Sequence, residues 1–391
     1  MNTHFLVKTN KSPLDYSCGE KMEFTFTLVK GDDPVDVNFL KYTLDCDDGS
    51  CAVGILSGKN GVFELSAATS KAGLVRIIAF PVDENGNAID GVDGIFTGAF
   101  ADIDNIVPLA EKPADYDEFW DRQMSELDKI EPKVLEKNKL DLPEYPNHDI
   151  YDMKIACAGN APVSGILTMP KSIPEGGLPV RVGYKGYGVV SAPIEPIDDT
   201  IVFFTNAHGF KNLQPESYYK TLEENELNRY GFSDEENASP DTCYFKNMFI
   251  RAAQAIRFAA TIPEGNRVYV WGGSQGAAQA LSGLALSGIP TEADIFIPWM
   301  CDIHAFKTRR IKGSPPSQKA MQYFDLINMA SRIKNKDISI ELRAGFGDEA
   351  CPAAGVLSMF KALPTKKSIT FVQNKSHSYE AEDADKFDII G

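Results

Sequence analysis

The chain has no Cys-x-x-Cys pair, no run of about 18 apolar residues, no internal repeat and no low-complexity tract. The first absence excludes the common zinc spacings. The seven cysteines, Cys18, Cys46, Cys51, Cys157, Cys243, Cys301 and Cys351, are odd in number and imply no disulfide framework. Cys46 and Cys51 are close enough to pair in an oxidising compartment, but free buried thiols are the better expectation. The second absence excludes a membrane helix. The N-terminus, MNTHFLVKTNKSPLDYSCG, also lacks the apolar core of a signal peptide. As written, the chain is expected to be soluble and cytoplasmic. A signal peptide replaced by a start Met would leave the same sequence, so a periplasmic or secreted protein stays open.

Positive charge is scarce too. There are 39 Lys and Arg against 55 Asp and Glu, a formal net charge of -16. This argues against nucleic acid or an anionic membrane as partner. The bland reading, a surface kept soluble by acidic residues, is preferred to an acidic function. Histidine is scarcer still. Only His4, His148, His208, His304 and His377 can serve as an imidazole base.

What remains is ordinary for a soluble protein: 43% hydrophobic and 24% charged residues over 391 positions, enough for two domains. Residues 1–103 carry short segments that alternate apolar and polar, such as MEFTFTLV and FLKYTLDC. Turn clusters such as KGDDP and DENGNAIDG separate them. This pattern predicts a small immunoglobulin-like β-sandwich. Its expected role is an accessory or oligomer contact, ahead of sugar binding, and a homo-oligomer stays open.

Residues 104–391 read differently. DYDEFWDRQMSELDKI predicts a helix. Eight strands are then expected at DMKIACA, SGILTMP, LPVRVGY, TIVFFT, RVYVW, DIFIPW, ISIELRAG and SITFVQN. Helices are expected near 244–260, 275–286, 303–332 and 352–362. Such alternation predicts a mostly parallel sheet covered by helices on both faces, with the first two strands as an antiparallel edge. That is the layout of an α/β-hydrolase. The polar stretch 207–243 is expected to be a long irregular insertion that covers or lines a site, or moves.

Gly272 to Gly276 fit Gly-x-Ser-x-Gly around Ser274. With 31 glycines in the chain the pattern alone is weak. Its context is stronger: the apolar run RVYVW precedes it and AAQALSGLAL follows, as a strand, tight turn and helix would. A nucleophile elbow needs that context, and a serine needs a base. In this fold the order is Ser, acid, His, so only His304 and His377 qualify. His304 suits a structural or surface role at a helix start. His377 follows the last expected strand, at the edge where ligands bind. Asp348, in GFGDEACP, is the favoured acid, with a helix N-cap as its alternative. Asp302, Asp325 and Asp337 compete. An oxyanion hole needs two N–H donors. Gln275, after the serine, offers one, and Tyr187 in YKGYG offers the other.

From about Pro113 onward the chain resembles the acetyl xylan esterase / cephalosporin C deacetylase family of α/β-hydrolases, carbohydrate esterase family 7. The resemblance lies in PADYDEFW, YKGYG, GGSQG, PWMCDI, YFDLINMASRIK and GFGDEACPAAGVLSMF, in that order. It implies deacetylation of small acetyl esters, including acetylated xylo-oligosaccharides. It implies Ser274, Asp348 and His377 as triad, Tyr187 and Gln275 at the oxyanion hole, and no metal or organic cofactor. Three departures stand out. His208-Gly209-Phe210 replaces the family's Arg-Gly-Gln, Ser378 replaces a Glu after the histidine, and the N-terminal β module lies outside the usual family domain. Two rival readings are a prolyl-oligopeptidase-type serine peptidase, whose N-terminal propeller is missing here, and a carbohydrate-binding pseudoenzyme.

Overall fold

Alternation builds the N-terminal part. In β2 (Met22–Val29), Met22, Phe24 and Phe26 are buried while Glu23 and Thr27 are exposed, the period of a half-buried strand. A computed structural model of the chain describes residues 3–31, 35–308, 319–377 and 384–391. β1 (His4–Thr9), β2 and β5 (Val62–Ala67) form one antiparallel sheet. A second runs β4 (Cys51–Ser57), β3 (Phe39–Cys46), β6 (Gly73–Val82), β7 (Ile95–Ala101). Phe5, Phe24, Phe26, Phe63, Leu40 and Ile77 fill the core. Each such side chain contributes about 1.5–3 kcal/mol by burial. This is the immunoglobulin-like arrangement with its fourth strand moved to the second sheet.

β6 is buried on both faces. Val75, Ile77 and Ala79 face the sandwich core. Leu74, like Phe100 of β7, belongs instead to the large core of the rest of the chain. The second sheet therefore lies between two hydrophobic cores.

The remaining strands form one ten-stranded sheet. Its centre is six parallel strands in the order β12 (Ile201–Thr205), β11 (Leu178–Tyr184), β13 (Gly265–Gly273), β14 (Glu292–Phe296), β15 (Ser339–Gly345) and β16 (Lys366–Val372); β12 and β11 stand reversed relative to chain order. One antiparallel edge is β10 (Val163–Pro170), β9 (His148–Ile155) and β8 (Val134–Lys139). The other is β17 (Lys386–Ile390). Helices α1 (Tyr116–Leu127), α3 (Tyr244–Ala259), α4 (Gln275–Ser287), α5 (Leu326–Ala330) and α6 (Ala353–Ala362) supply much of the main core. The opposite face at β9, β10 and β12 carries a smaller cluster. There, loop residues such as Leu142, Tyr145 and Ile194 cover it, whereas the sequence pattern predicted helices on both faces.

The structure departs from the sequence reading in three other places. β8 and β17 were not anticipated. All six residues of β8 are exposed, so it carries no apolar period; it joins β9 through its backbone and through surface ion pairs such as Glu136–Lys154 and Lys139–Asp149. The helix expected over 303–332 is broken: 3-10 turns occupy Ile303–Thr308 and Lys319–Tyr323, and residues 309–318 fall outside the described chain. Asp325 starts α5 afresh, its carboxylate accepting from Ile327 N–H at 3.0 Å. The 207–243 stretch also contains a helix, α2 (Glu216–Asn225), with Tyr219, Tyr230 and Asn237 buried. All seven cysteines are free, including Cys46 and Cys51. Among the described residues no helix is long and apolar enough to cross a membrane.

Candidate active site

β13 ends in two glycines, and Ser274 then turns the chain into α4. Its φ of 57° and ψ of -121° are strained for a side-chain-bearing residue; such backbone costs about 1–3 kcal/mol. The neighbours hold it. Ser274 N–H donates to Phe296 O at 3.0 Å, and Ser274 O accepts from Trp299 N–H and Ala278 N–H, each at 3.2 Å. Glycine is required on both sides. A Cβ on Gly272 would sit 2.3 Å from Gly276 O, and one on Gly276 would sit 2.2 Å from Tyr184 O.

His377 follows β16 in a loop at the same sheet edge. Its Nε2 lies 3.0 Å from Ser274 Oγ. Its Nδ1 lies 2.9 Å from Asp348 Oδ2 and 3.2 Å from Oδ1. Asp348, just after β15, is fully buried. Its Oδ1 also accepts from the N–H groups of Ala350 and Cys351, each at 2.8 Å. It therefore caps a turn before α6 and faces the imidazole at once. The hydrogen bond to Asp348 raises the His377 pKa above its ordinary value; burial offsets part of that rise.

The competing residues are engaged elsewhere. Asp302 accepts from Leu109 N–H at 2.8 Å. Asp325 holds the N–H groups of Asp302 and Ile303, and burial pushes its carboxyl up to about 7. Asp337 is exposed, and His304 sits 3.9 Å from the Glu111 carboxylate. Ser378 lies outside the described residues.

Tyr187 and Gln275 line the same cavity of about 340 Å³ as Ser274 and His377. Gln275 opens α4, so its N–H has no intrahelical acceptor. A buried polar chain ties the two sides together. Gly188 N–H donates to Tyr230 Oη at 3.0 Å, and Tyr230 O–H donates to Gln275 Oε1 at 3.1 Å. His208 Nε2–H donates to Gly188 O at 3.1 Å, while Tyr244 bonds its Nδ1. Burial depresses the His208 pKa to about 4, so the ring is neutral. The Tyr187 ring stacks on Tyr230 with centroids 4.7 Å apart.

Phe232, Trp299, Arg229 and Ala350 complete the cavity wall. Two of these, Arg229 and Phe232, come from the 207–243 insertion, which does line the site, and Tyr230 of the same stretch stands behind Tyr187. The sequence gives no signal for them beyond aromatic residues in a polar stretch. Among the described residues, Asp348, Cys351 and His377 are near enough to share a metal ion. Asp348 and His377 are there bonded to each other and to Ser274, and burial holds the Cys351 thiol well above its usual pKa.

Residues 99–387 match the sequence family described as acetyl xylan esterase (AXE1). The chain belongs to the acetyl xylan esterase family. Acetyl esterase Axe7A of Xylanibacter ruminicola is similar at 26% identity over 270 residues, 63% of this chain and 59% of that protein. The match thus spans less than two thirds of that relative. Acetyl xylan esterase 1 from Thermoanaerobacterium sp. JW/SL YS485 superposes with a TM-score of 0.57 at 20% identity, covering 72% of this chain and 93% of the other. The acetyl xylan esterase from Paenibacillus sp. R4 gives 0.58 at 20% identity, with 71% and 93% covered. These likenesses establish the α/β-hydrolase fold. The family match begins inside β7, so most of the sandwich precedes it.

Proposed function

We propose that the protein is a serine esterase that removes acetyl groups from small acetylated carbohydrates such as xylo-oligosaccharides. The observation that carries this is the hydrogen-bonded run from Ser274 through His377 to Asp348 at the mouth of a largely apolar cavity. In the proposed reaction, His377 takes the Ser274 proton as Oγ attacks the acetyl carbonyl. Asp348 keeps Nδ1 protonated and stabilises the imidazolium. The Tyr187 and Gln275 N–H groups receive the oxyanion. His377 then protonates the departing sugar oxygen, and water releases acetate from Ser274. Each step is assigned to side chains, backbone N–H groups and water.

Ser274→Ala is expected to lower kcat on p-nitrophenyl acetate by about 10⁴-fold or more. A fluorophosphonate probe should label the parent protein and not the variant. Wild-type turnover in the variant would eliminate Ser274 as nucleophile. Acetate release over acetylated xylo-oligosaccharides, acetylated monosaccharides and cephalosporin C tests the substrate class. Probe labelling without acetate from any of them would move the function to another ester.

A further inference from the structure

The loops that carry Asp348 and His377 rest on the N-terminal sandwich. Arg76 of β6 is 2% exposed. Its Nη1 donates to the Asp348 carbonyl oxygen at 3.1 Å, and its Nη2 to Asp45 Oδ2 on neighbouring β3 at 3.1 Å. The Asp45 pair holds the guanidinium in place within its own sheet. The free end of the fork then grips the main chain of a residue 272 positions away.

The strand beside it grips the histidine loop. Thr97 O–H donates to Gln373 Oε1 at 2.6 Å, and Gln373 Nε2 donates to Gly98 O at 3.3 Å. Asn374 Oδ1 accepts from Phe96 N–H at 3.0 Å, and its Nδ2 donates to Phe5 O at 2.8 Å. The two loops are also joined to each other: Gly347 N–H donates to Lys375 O at 3.0 Å. No side chain fits at Gly347, since a Cβ there would lie 2.4 Å from the Phe96 backbone. The Ser274 backbone, by contrast, is held by β14, the loop after it and α4, with no bond from the sandwich.

We propose that the sandwich is a working part of the active site, and that Arg76 is a positioning residue that sets the Asp348–His377 pair against Ser274. This rests on the triad assignment above. A sandwich that served only for subunit contact or sugar binding would have no need of a buried arginine on the acid's main chain. A hydrogen bond from a charged donor is stronger and more directional than a neutral one. A misplacement of about 1 Å in a reacting group can cost about 100-fold in rate.

The test is Arg76→Gln in the full chain, followed by p-nitrophenyl acetate kinetics and fluorophosphonate labelling from pH 5 to 9. The extent of labelling counts competent sites, while its rate reports their reactivity. The expected result is full labelling extent, with kcat and labelling rate down about 10- to 100-fold and KM little changed. The acid limb of the pH profile should move to lower pH, because His377 loses part of the carboxylate contact that raises it. Arg76→Lys, which keeps one donor, should recover part of the rate. Parent kcat and acid limb in Arg76→Gln would overturn the proposal, as would a loss confined to labelling extent. If Arg76→Gln does not fold, Thr97→Val at the same seam carries the test, with a smaller shift in the same direction. A parent protein that neither labels nor turns over would sink the triad assignment itself.

Discussion

Replacing Tyr230 by Phe deletes one hydroxyl and keeps the ring that stacks on Tyr187. That hydroxyl joins the Gly188 N–H to Gln275 Oε1 at 3.0 and 3.1 Å in a site where Tyr230 is 2% exposed. Its loss leaves one donor and one acceptor without their partner. Each orphan costs about 1–3 kcal/mol, and relaxation recovers part, so a net loss of about 2 kcal/mol is expected. The consequence for rate is separable. Gly188 follows Tyr187, and Gln275 itself carries the second N–H assigned to the oxyanion. Removing such a donor outright costs about 100- to 1,000-fold. Loosening the frame behind both should cost less, about tenfold in kcat, equal to about 1.4 kcal/mol. KM should change little, and the acid limb should stay put, since Tyr230 does not touch His377. Urea unfolding and p-nitrophenyl acetate kinetics at constant pH read the two terms. A variant destabilised by about 2 kcal/mol with unchanged kcat would refute the link between Tyr230 and the oxyanion donors.

Two pH effects follow from the histidines. His377 must be neutral to accept the serine proton, and its pKa is raised, chiefly by the hydrogen bond to Asp348; kcat/KM should therefore fall as pH drops through a value above 6.5. Asp348→Asn should move that limb to lower pH and reduce kcat by about 10⁴-fold; an unmoved limb would count against Asp348. His208 has the opposite sign. Its pKa falls from 6.5 to about 4 on folding, so its stabilising effect is complete above 6.5 and fades as pH falls toward 4. The linkage amounts to about 2 kcal/mol lost between pH 7 and 5. Urea unfolding at both values should show a smaller acid loss in His208→Phe than in the parent, and equal losses would argue against a buried neutral His208.

The candidate site was legible because topology constrains it. A nucleophile at a strand-to-helix turn leaves few places for its partners, and five histidines leave fewer. Met22, Phe24 and Phe26 likewise announced a half-buried strand. What escaped lacks a local signature. β8 buries no side chain, so no hydrophobic period marks it. Tyr230 reads as one aromatic in a polar insertion; only the folded chain sets it between Gly188 and Gln275. Arg76, as a charged residue in a strand, reads as an outward-facing position. It points away from the sandwich core, yet that outward face is covered by the loop of Asp348. The long helix expected over 303–332 failed because Asp325 starts a new helix and ties its carboxylate back to Asp302 and Ile303.

The double burial of β6 also sets an order of events during synthesis. The sandwich strands leave the ribosome before the strands that follow and can close their own core around Phe24 and Ile77. Leu74, Arg76 and Phe100 must then wait for partners near residues 346–373, which follow some 270 positions later. At about 5–20 residues per second this interval is about 15–55 s. Through it, the nascent chain carries an apolar sheet face with a half-paired arginine and nothing to cover it. A chaperone requirement, or aggregation of stalled chains, would trace to this strand before any other.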